Sequence, residues 1–305
     1  MTQKHRHAAA PETGCATVRP THALLWSLVG MASALYLTTG LFHEIAPPTV
    51  HAVLLAAPLV LFAFAHGSAI YGLRHILMFF AICMVVTNVI ENCNILTGFP
   101  GGFYQYGESL GPKLFFVPLV IGPAYFGVGY LAWVLARLTL RDANQLLPAQ
   151  SILKIPVFAA FAMVAFNISF EPAASTVHKA WIWRDGGSYF GVPISNFFSW
   201  YLTSYVFFQL YALYLHHMVT REVGAKSVSR QYSYQAVVLY GAIAAMAILR
   251  GLTTSTTETV ADQAGTVWYI QDIFAVCALV CSFTMVPLTL LAWNSVAQVT
   301  STNSR

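Results

Sequence analysis

The stretch from Glu171 to Trp200 reads EPAASTVHKAWIWRDGGSYFGVPISNFFSW and lies between two long apolar runs. It begins with an ionisable residue directly before a proline, at the end of an apolar segment. Two tryptophans, Trp181 and Trp183, follow, and then two turns rich in glycine and proline. A passive connecting loop has little need for so many aromatic, turn-forming and polar residues together. We therefore expect this stretch, with a matching one around Glu91, to close a reaction chamber between helices.

The composition indicates a membrane protein. Of the 305 residues, 57% are hydrophobic and only 9% are charged, whereas about a quarter of the residues of a soluble domain are charged. The mean hydropathy is +0.64. The basic residues are spread over the loops, which argues against nucleic acid as a partner. Cys277 and Cys281, four residues apart, are interpreted as apolar packing residues rather than metal ligands.

Eight apolar runs divide the chain, each near the roughly 20 residues that a helix needs to cross the hydrocarbon layer. The runs are 22–42, 50–72, 75–92, 114–136, 152–171, 194–218, 233–252 and 267–293. They predict an all-α polytopic transmembrane bundle of about eight spans. Residues 21–294 form a single domain in this interpretation, between a polar N-terminal tail at 1–20 and a C-terminal tail at 295–305.

The basic residues predict the orientation of the bundle. With the N-terminus in the cytoplasm, the inner segments carry eleven lysines and arginines and the outer segments carry four. This bias follows the positive-inside rule and predicts that both termini are cytoplasmic. The first run is too long for the core of a signal peptide, so it is interpreted as a retained span. We expect a multi-pass protein in the plasma membrane of a prokaryote, or in an internal membrane of a eukaryote.

This topology brings ionisable residues to one level near the outer side. They are Glu44, Glu91, Glu171, Arg250 and Asp272. Ionisable residues within spans are costly and by default suggest function. Simpler roles stay open, because Glu44 could face water and Asp272 could form a structural ion pair with Arg250. His66 lies deeper, where it is either a proton relay or a histidine that only bonds a neighbouring carbonyl.

Polar and aromatic residues accompany the two glutamates that end outward-running helices. Asn88 and Asn92 share a helix face with Glu91, and Asn167 lies four residues before Glu171. We expect amide side chains to orient the acids and aromatic rings to line the chamber. The predicted set is Asn88, Asn167, Asn196, Trp181, Trp183, Tyr189, Phe190, Tyr104 and Tyr106, with Glu91, Glu171, His66 and Asp272 as the candidate catalytic residues.

These groups suit proton chemistry on a hydrocarbon. The sequence contains no P-loop, no G-x-S-x-G, no HExxH and no DDxxD-type cluster, so no metal or cofactor is predicted. A carboxyl buried in apolar surroundings favours its uncharged form and can protonate a carbon–carbon double bond. Each ring face can stabilise the resulting cation by about 0.5–2 kcal/mol. Attack by water then gives hydration, and loss of another proton gives isomerisation or cyclisation.

Four blocks of sequence carry a family resemblance. They are His66-Gly67 with Tyr71-Gly72 and Arg74; Glu91 followed by TGFPGGFYQYGESLGPKLFFVP at 97–118; Glu171-Pro172; and residues 181–200. On these blocks the chain resembles the integral-membrane carotenoid biosynthesis family, whose known members are carotenoid 1,2-hydratases, including the bisanhydrobacterioruberin hydratase type. The resemblance implies cofactor-free addition of water to the terminal double bond of an acyclic carotenoid. Glu171 or Glu91 is then the proton donor, and the other acid positions water or stabilises the cation.

The chain departs from the family pattern at two places. The family has aspartate where this chain has Glu171, and near the second tryptophan it has an acid and more glycine where this chain has Arg184-Asp185. The substrate could therefore be a shorter isoprenoid, and the reaction could be a cyclisation or isomerisation.

Two other classes of protein stay open. One is a proton- or cation-coupled transporter, and the other is a non-catalytic member of a biosynthetic complex. The expected partners are a lipophilic isoprenoid, membrane lipid and other biosynthetic enzymes.

Overall fold

The computed structural model describes residues 18–42, 48–142, 147, 149–222 and 229–302. Eight long helices dominate this part of the chain, which confirms the prediction of an all-α bundle. They are α1 (Val18–Phe42), α2 (Pro48–Tyr71), α3 (Leu73–Thr97), α4 (Ile121–Thr139), α5 (Ser151–Pro172), α6 (Ile194–Glu222), α7 (Arg230–Thr253) and α8 (Ile270–Thr302). α8 continues into the predicted C-terminal tail. Glu44 lies outside the described residues.

Among the described residues, seven helices are long and apolar enough to cross a membrane, and α6 is more polar than the other seven. Its contacts nevertheless join both sides of the bundle. Near its start the Asn196 side chain bonds Asn167 of α5, and near its end His216 bonds the Leu147 carbonyl. With 29 residues, α6 is about 40 Å long. It therefore runs the length of the bundle beside the other helices, although it is not among the seven candidate spans.

Helix α4 lies at the centre of the bundle and is buried along almost its whole length. It packs against α2, α3, α5, α7 and α8. Helices in a membrane associate through close packing, which small residues at the contact permit. A Cβ atom on Gly127 of α4 would lie 2.7 Å from the Cβ of Leu59 on α2, so this contact requires glycine. The inner half of α4 buries large rings, Tyr130 and Trp133 among them.

Three two-stranded antiparallel sheets lie at the end of the bundle where α3, α5 and α7 end, which the charge bias predicts to be the outer side. They pair β1 (Tyr104–Tyr106) with β4 (Trp181–Trp183), β2 (Lys113–Leu114) with β3 (Val117–Pro118), and β5 (Thr259–Ala261) with β6 (Val267–Tyr269). The predicted spans 114–136 and 267–293 began too early. Residues 114–118 belong to the β2–β3 hairpin before α4, and 267–269 form β6 before α8. Pro118 removes a backbone N–H, and α4 begins only at Ile121.

Candidate active site

The short sheet formed by β1 and β4 carries four rings on one face. In its antiparallel register Tyr104 pairs with Trp183 and Tyr106 pairs with Trp181. Residues two apart in a strand point to the same side, so the patterns YQY and WIW place both tyrosines and both tryptophans together. Tyr104 and Trp183 have ring centroids 4.8 Å apart. This face looks into the bundle, towards the two predicted acids.

Glu91 of α3 is buried and accepts hydrogen bonds from three tyrosine hydroxyls. Tyr104 and Tyr106 of β1 donate to Oε2, the second at 3.2 Å. Tyr125 of α4 donates to Oε1 at 2.8 Å. Burial raises the pKa of Tyr106 well above its ordinary value, and the neighbouring Glu91 carboxyl raises it further. The Tyr106 hydroxyl therefore keeps its proton at neutral pH and remains able to donate it.

Glu171 of α5 is only 2% exposed and accepts hydrogen bonds from three N–H groups. The indole Nε1 atoms of Trp181 and Trp183 donate to Oε1 at 2.5 Å and 3.0 Å. The amide Nδ2 of Asn167 donates to Oε2 at 2.8 Å. Asn196 of α6 in turn donates to Asn167 Oδ1 at 3.2 Å, which fixes the orientation of that amide. The predicted group of Glu171, Asn167, Asn196 and the two tryptophans is thus brought together.

Local backbone structure explains the Glu171-Pro172 pair. A proline inside a helix cannot donate to the carbonyl four residues earlier, here that of Ile168. The hydroxyl of Tyr189 donates to this carbonyl at 3.2 Å. After Pro172 the helix widens into a π turn over Ala173–Val177, a feature that is frequent at functional sites. Tyr189, predicted to line the chamber, instead supports the end of the helix that carries Glu171.

A cavity of about 550 Å³ lies beneath the β1–β4 sheet, and both glutamates line it. Each of the eight described helices contributes to its wall. The lining residues that lie furthest from the sheet along α2, α4 and α5 are Leu59, Val128 and Met163, and all three are apolar. Met163 lies eight residues below Glu171 on α5, which corresponds to a depth of about 12 Å. The site is therefore an apolar chamber with two acids near its outer end.

Some predicted site residues lie outside the chamber, and the prediction is corrected for them. Asn88 accepts a hydrogen bond from the Asn92 amide, whose Oδ1 accepts the backbone N–H of Phe116. This pair therefore faces the β2–β3 hairpin and not the acids. Phe190 packs its ring against Trp268, with centroids 5.2 Å apart. Asp272 is exposed at the start of α8 and does not line the cavity.

His66 is also remote from the chamber. It lies seven residues beyond Leu59 on α2, or about 10 Å further inward. Its Nε2 bonds the backbone carbonyl of Tyr232 at 2.7 Å, and its Nδ1 bonds the Tyr130 hydroxyl at 2.6 Å. Because a carbonyl only accepts, Nε2 carries a proton, and the Tyr130 hydroxyl can either donate to Nδ1 or accept from it. His66 is therefore a buried histidine whose two ring nitrogens are both engaged.

The prediction missed other residues that line the chamber. Tyr125 bonds Glu91 and stacks on Trp200 of α6, with ring centroids 4.3 Å apart. Asn94 lies on the wall and accepts the backbone N–H of Gly101 at 2.7 Å, which anchors the loop before β1. Both Tyr125 and Trp200 sit inside apolar runs, where no local pattern separates a chamber residue from a packing residue.

Basic side chains line the cavity as well, namely His51, His178 and Arg250. The Arg250 guanidinium lies over the Phe274 ring, 4.7 Å from its centroid. Within the described part of the chain, no group of three or more His, Cys, Asp or Glu side chains could hold a metal ion. The polar groups that the chamber offers are therefore two carboxyls, tyrosine hydroxyls, amides and these basic side chains.

The comparisons with known proteins agree with the resemblance read from the sequence blocks. The sequence model of the family described as carotenoid biosynthesis protein matches residues 48–267, which include α2 to α7 and every residue that bonds the two acids. No curated protein and no solved structure matches the chain. Because the match covers well over half of the sequence, the chain belongs to the carotenoid biosynthesis protein family.

Proposed function

We propose that this protein adds water to the terminal double bond of a linear carotenoid or a related isoprenoid, through a tertiary carbocation. Membership of the family supports a role in carotenoid biosynthesis. The observation that carries the specific reaction is the arrangement of the chamber. Two carboxyl groups from separate helices line one apolar cavity, under a sheet that presents four rings to them.

The reaction begins with a protonated carboxyl beside the double bond. The acid transfers its proton to the less substituted carbon, and the positive charge forms on the carbon that bears two methyl groups. Water attacks that carbon, and the second carboxyl takes one of the protons of the water. The alkene has then gained one hydrogen and one hydroxyl, and the proton returns to the first acid. Positioned acids and bases of this kind accelerate reactions by roughly 100- to 10,000-fold each.

The wall of the chamber suits the cationic intermediate. Trp181, Trp183 and Trp200 all line it, and tryptophan is the ring type that binds a cation best, contributing about 0.5–2 kcal/mol per ring face. The indole N–H groups of Trp181 and Trp183 also hold Glu171 in place. A carboxylate and several ring faces therefore surround the position where the charge develops.

The dimensions of the chamber suit the end of a long chain. Its depth of about 12 Å is less than half of the roughly 30 Å hydrocarbon layer. A linear carotenoid fits with one end inside, while the rest of the molecule remains in the membrane. Because the acids lie at the same outer level as the β1–β4 sheet, the reacting double bond is placed near the outer end of the chamber.

The geometry gives less support to a transport path. The inner end of the chamber is closed by apolar residues, Leu59, Val128 and Met163 among them. The polar residues nearer the other side, including His66 and Arg137, line a separate cavity of only about 20 Å³. A coupled transporter needs ionisable groups that connect the two sides, whereas the two cavities have no lining residue in common among the described residues.

The test uses cells that accumulate a linear carotenoid and express the wild-type protein, Glu91→Gln or Glu171→Gln. We expect the wild type to add the mass of one water and to form a tertiary alcohol. Either substitution should lower the yield of alcohol by roughly 100-fold or more. Glu108→Gln is the matched control, because the Glu108 side chain is 95% exposed. A product of unchanged mass identifies a cyclase or isomerase, and wild-type yields from both variants disprove the acid mechanism.

A further inference from the structure

The two carboxyl groups have chemically different hydrogen-bond partners. We propose that Glu91 is the proton donor, and that Glu171 begins each cycle as a carboxylate, which stabilises the cation and then accepts the proton of the attacking water. This assignment rests on the proposed function. It gives each acid one role where the sequence leaves the two interchangeable.

The partners of Glu171 can only donate. An indole nitrogen has a proton and no available lone pair, so Trp181 and Trp183 stabilise Oε1 as an acceptor and can never accept a proton from it. The Asn167 amide is turned with its NH2 group towards Oε2, because its oxygen accepts a bond from Asn196. Three N–H groups therefore favour the charged form of this carboxyl.

The partners of Glu91 can both donate and accept. A tyrosine hydroxyl rotates about its C–O bond and offers a proton or a lone pair as required. Tyr104, Tyr106 and Tyr125 can therefore accept from a protonated Glu91 and, after proton transfer, all donate to the carboxylate. Both states of Glu91 are satisfied without any change of backbone. This property suits the acid that holds its proton at the start of the cycle, whereas the donor-only partners of Glu171 suit the acid that starts the cycle charged.

The β1–β4 sheet places the partners of Glu91 and those of Glu171 on two neighbouring strands. Each β1 tyrosine that bonds Glu91 lies directly opposite a tryptophan that bonds Glu171, at Tyr104–Trp183 and Tyr106–Trp181. Side chains directly opposite each other in an antiparallel pair have Cβ atoms about 4.5–5.5 Å apart. Gly107 follows β1, and a Cβ atom there would lie 2.8 Å from the Lys179 carbonyl oxygen before β4. One strand therefore supplies hydroxyls and the other supplies N–H groups.

The assignment predicts that the two steps of the reaction can be separated. In heavy water, Glu91 delivers deuterium to the alkene and forms the cation. If no base removes a proton from water, the cation loses a proton to the Glu91 carboxylate and the alkene returns with deuterium in place of hydrogen. Deuterium in recovered substrate therefore reports protonation alone, and the added mass of water reports the complete reaction.

The experiment uses the full-length protein in liposomes with lycopene, a linear carotenoid with this double bond at both ends, in heavy water. We expect Glu171→Gln to place deuterium in recovered lycopene while alcohol formation falls by roughly 100-fold. Glu91→Gln should give neither deuterium nor alcohol. Trp183→Phe, which keeps both acids, should retain deuterium exchange and lose alcohol by roughly 10-fold. Elution of each detergent-solubilised variant as a single species confirms folding.

The outcomes distinguish the assignment from the function. Exchange in Glu91→Gln with none in Glu171→Gln reverses the roles and leaves the hydration reaction intact. Absence of exchange in both variants, beside an active wild type, shows that protonation requires both acids and overturns the assignment. If the wild type itself gives neither alcohol nor exchange, the proposed function is wrong.

Discussion

Two buried polar clusters of the bundle, one nearer each end, differ in what surrounds them. The outer cluster consists of Glu91, Glu171 and their tyrosine, tryptophan and asparagine partners, and it borders a cavity of about 550 Å³. The inner cluster consists of His66, Tyr130, Tyr71, Trp133 and Arg137, and its cavity measures about 20 Å³. The first cavity has room for the end of an isoprenoid chain, and the second has room for about one water molecule.

The hydrogen bonds of the inner cluster connect protein groups to one another and hold neighbouring helices together. Arg137 donates to the Tyr71 hydroxyl at 2.9 Å and to the Asp142 carbonyl at 2.8 Å. Trp133 donates to the same hydroxyl at 3.2 Å. These bonds join the inner ends of α2 and α4. A buried ionisable residue in a span thus indicates function only where a cavity accompanies it, and otherwise it can serve to fix neighbouring helices.

Filling the outer cavity should have the largest effect on activity. Ala56 of α2 lines the chamber, so Ala56→Phe places a ring where the substrate lies. We expect the yield of product to fall by roughly 100-fold or more, because a displacement of about 1 Å already costs that much. Thermal unfolding should change little, since the new ring occupies empty space. Product yield and melting temperature are measured on the same preparation.

The control for this substitution is Ala81→Phe, at an exposed position of α3. It adds the same side chain to the outer surface of the bundle and should leave the product yield unchanged. Equal yields from Ala56→Phe and the wild type would show that the substrate binds elsewhere, which removes the distinction between the two clusters.

Removing one of the tyrosine hydroxyls that bond Glu91 should have a smaller effect on activity. Tyr125→Phe keeps the ring that stacks on Trp200 and removes the hydrogen bond to Oε1. A hydrogen bond to a charged group contributes about 1.5–3 kcal/mol, so we expect the initial rate to fall by roughly 10- to 100-fold. Tyr240→Phe is the matched control, because its buried hydroxyl bonds only the Ala162 carbonyl. If both variants have the same rate, Tyr125 does not assist Glu91.

A substitution in the inner cluster should lower the stability of the protein and leave its activity unchanged. His66→Leu leaves the Tyr130 hydroxyl and the Tyr232 carbonyl without their partner. Each buried polar group left unpaired costs about 1–3 kcal/mol, so the melting temperature should fall. The rate per folded molecule should stay at the wild-type value, because His66 lies about 10 Å from the chamber. A normal melting temperature with a lost rate would restore His66 as a proton relay.

Much of the fold is readable from the sequence. The lengths of the apolar runs give eight helices, and their alternating direction brings Glu91 and Glu171 to one side. The acids at the ends of α3 and α5 and the patterns YQY and WIW are local features, so they could be recognised. The patterns place two rings on one face of each strand, although their pairing depends on a contact between residues that are distant in sequence.

The rest of the site could not be read in this way. Tyr125 and Asn94 reach the chamber only because of how α4 and α3 are rotated in the bundle, and these helices are apolar on several faces. The spacing of Asn88 and Glu91 predicts that they share a helix face. However, Asn92 accepts the Phe116 N–H and donates to the Asn88 side chain, so Asn88 is directed to the hairpin and not to Glu91. His66 and Glu171 look alike as ionisable residues in spans. Their difference is the space beside them, which no sequence pattern encodes.

The smallest effect is expected at Asp272, which the sequence grouped with the two glutamates. It lies at the start of α8, exposed at the outer side, where a negative charge interacts favourably with the helix N-terminus by about 0.3–1 kcal/mol. Asp272→Asn should therefore lower the melting temperature slightly and leave the product yield and the deuterium exchange unchanged. Glu171→Gln, the same loss of charge at the same membrane level, should lower alcohol formation by roughly 100-fold. A loss of yield in Asp272→Asn would mean that the exposed acid supplies protons to the chamber, and burial would no longer separate the residues that react from those that do not.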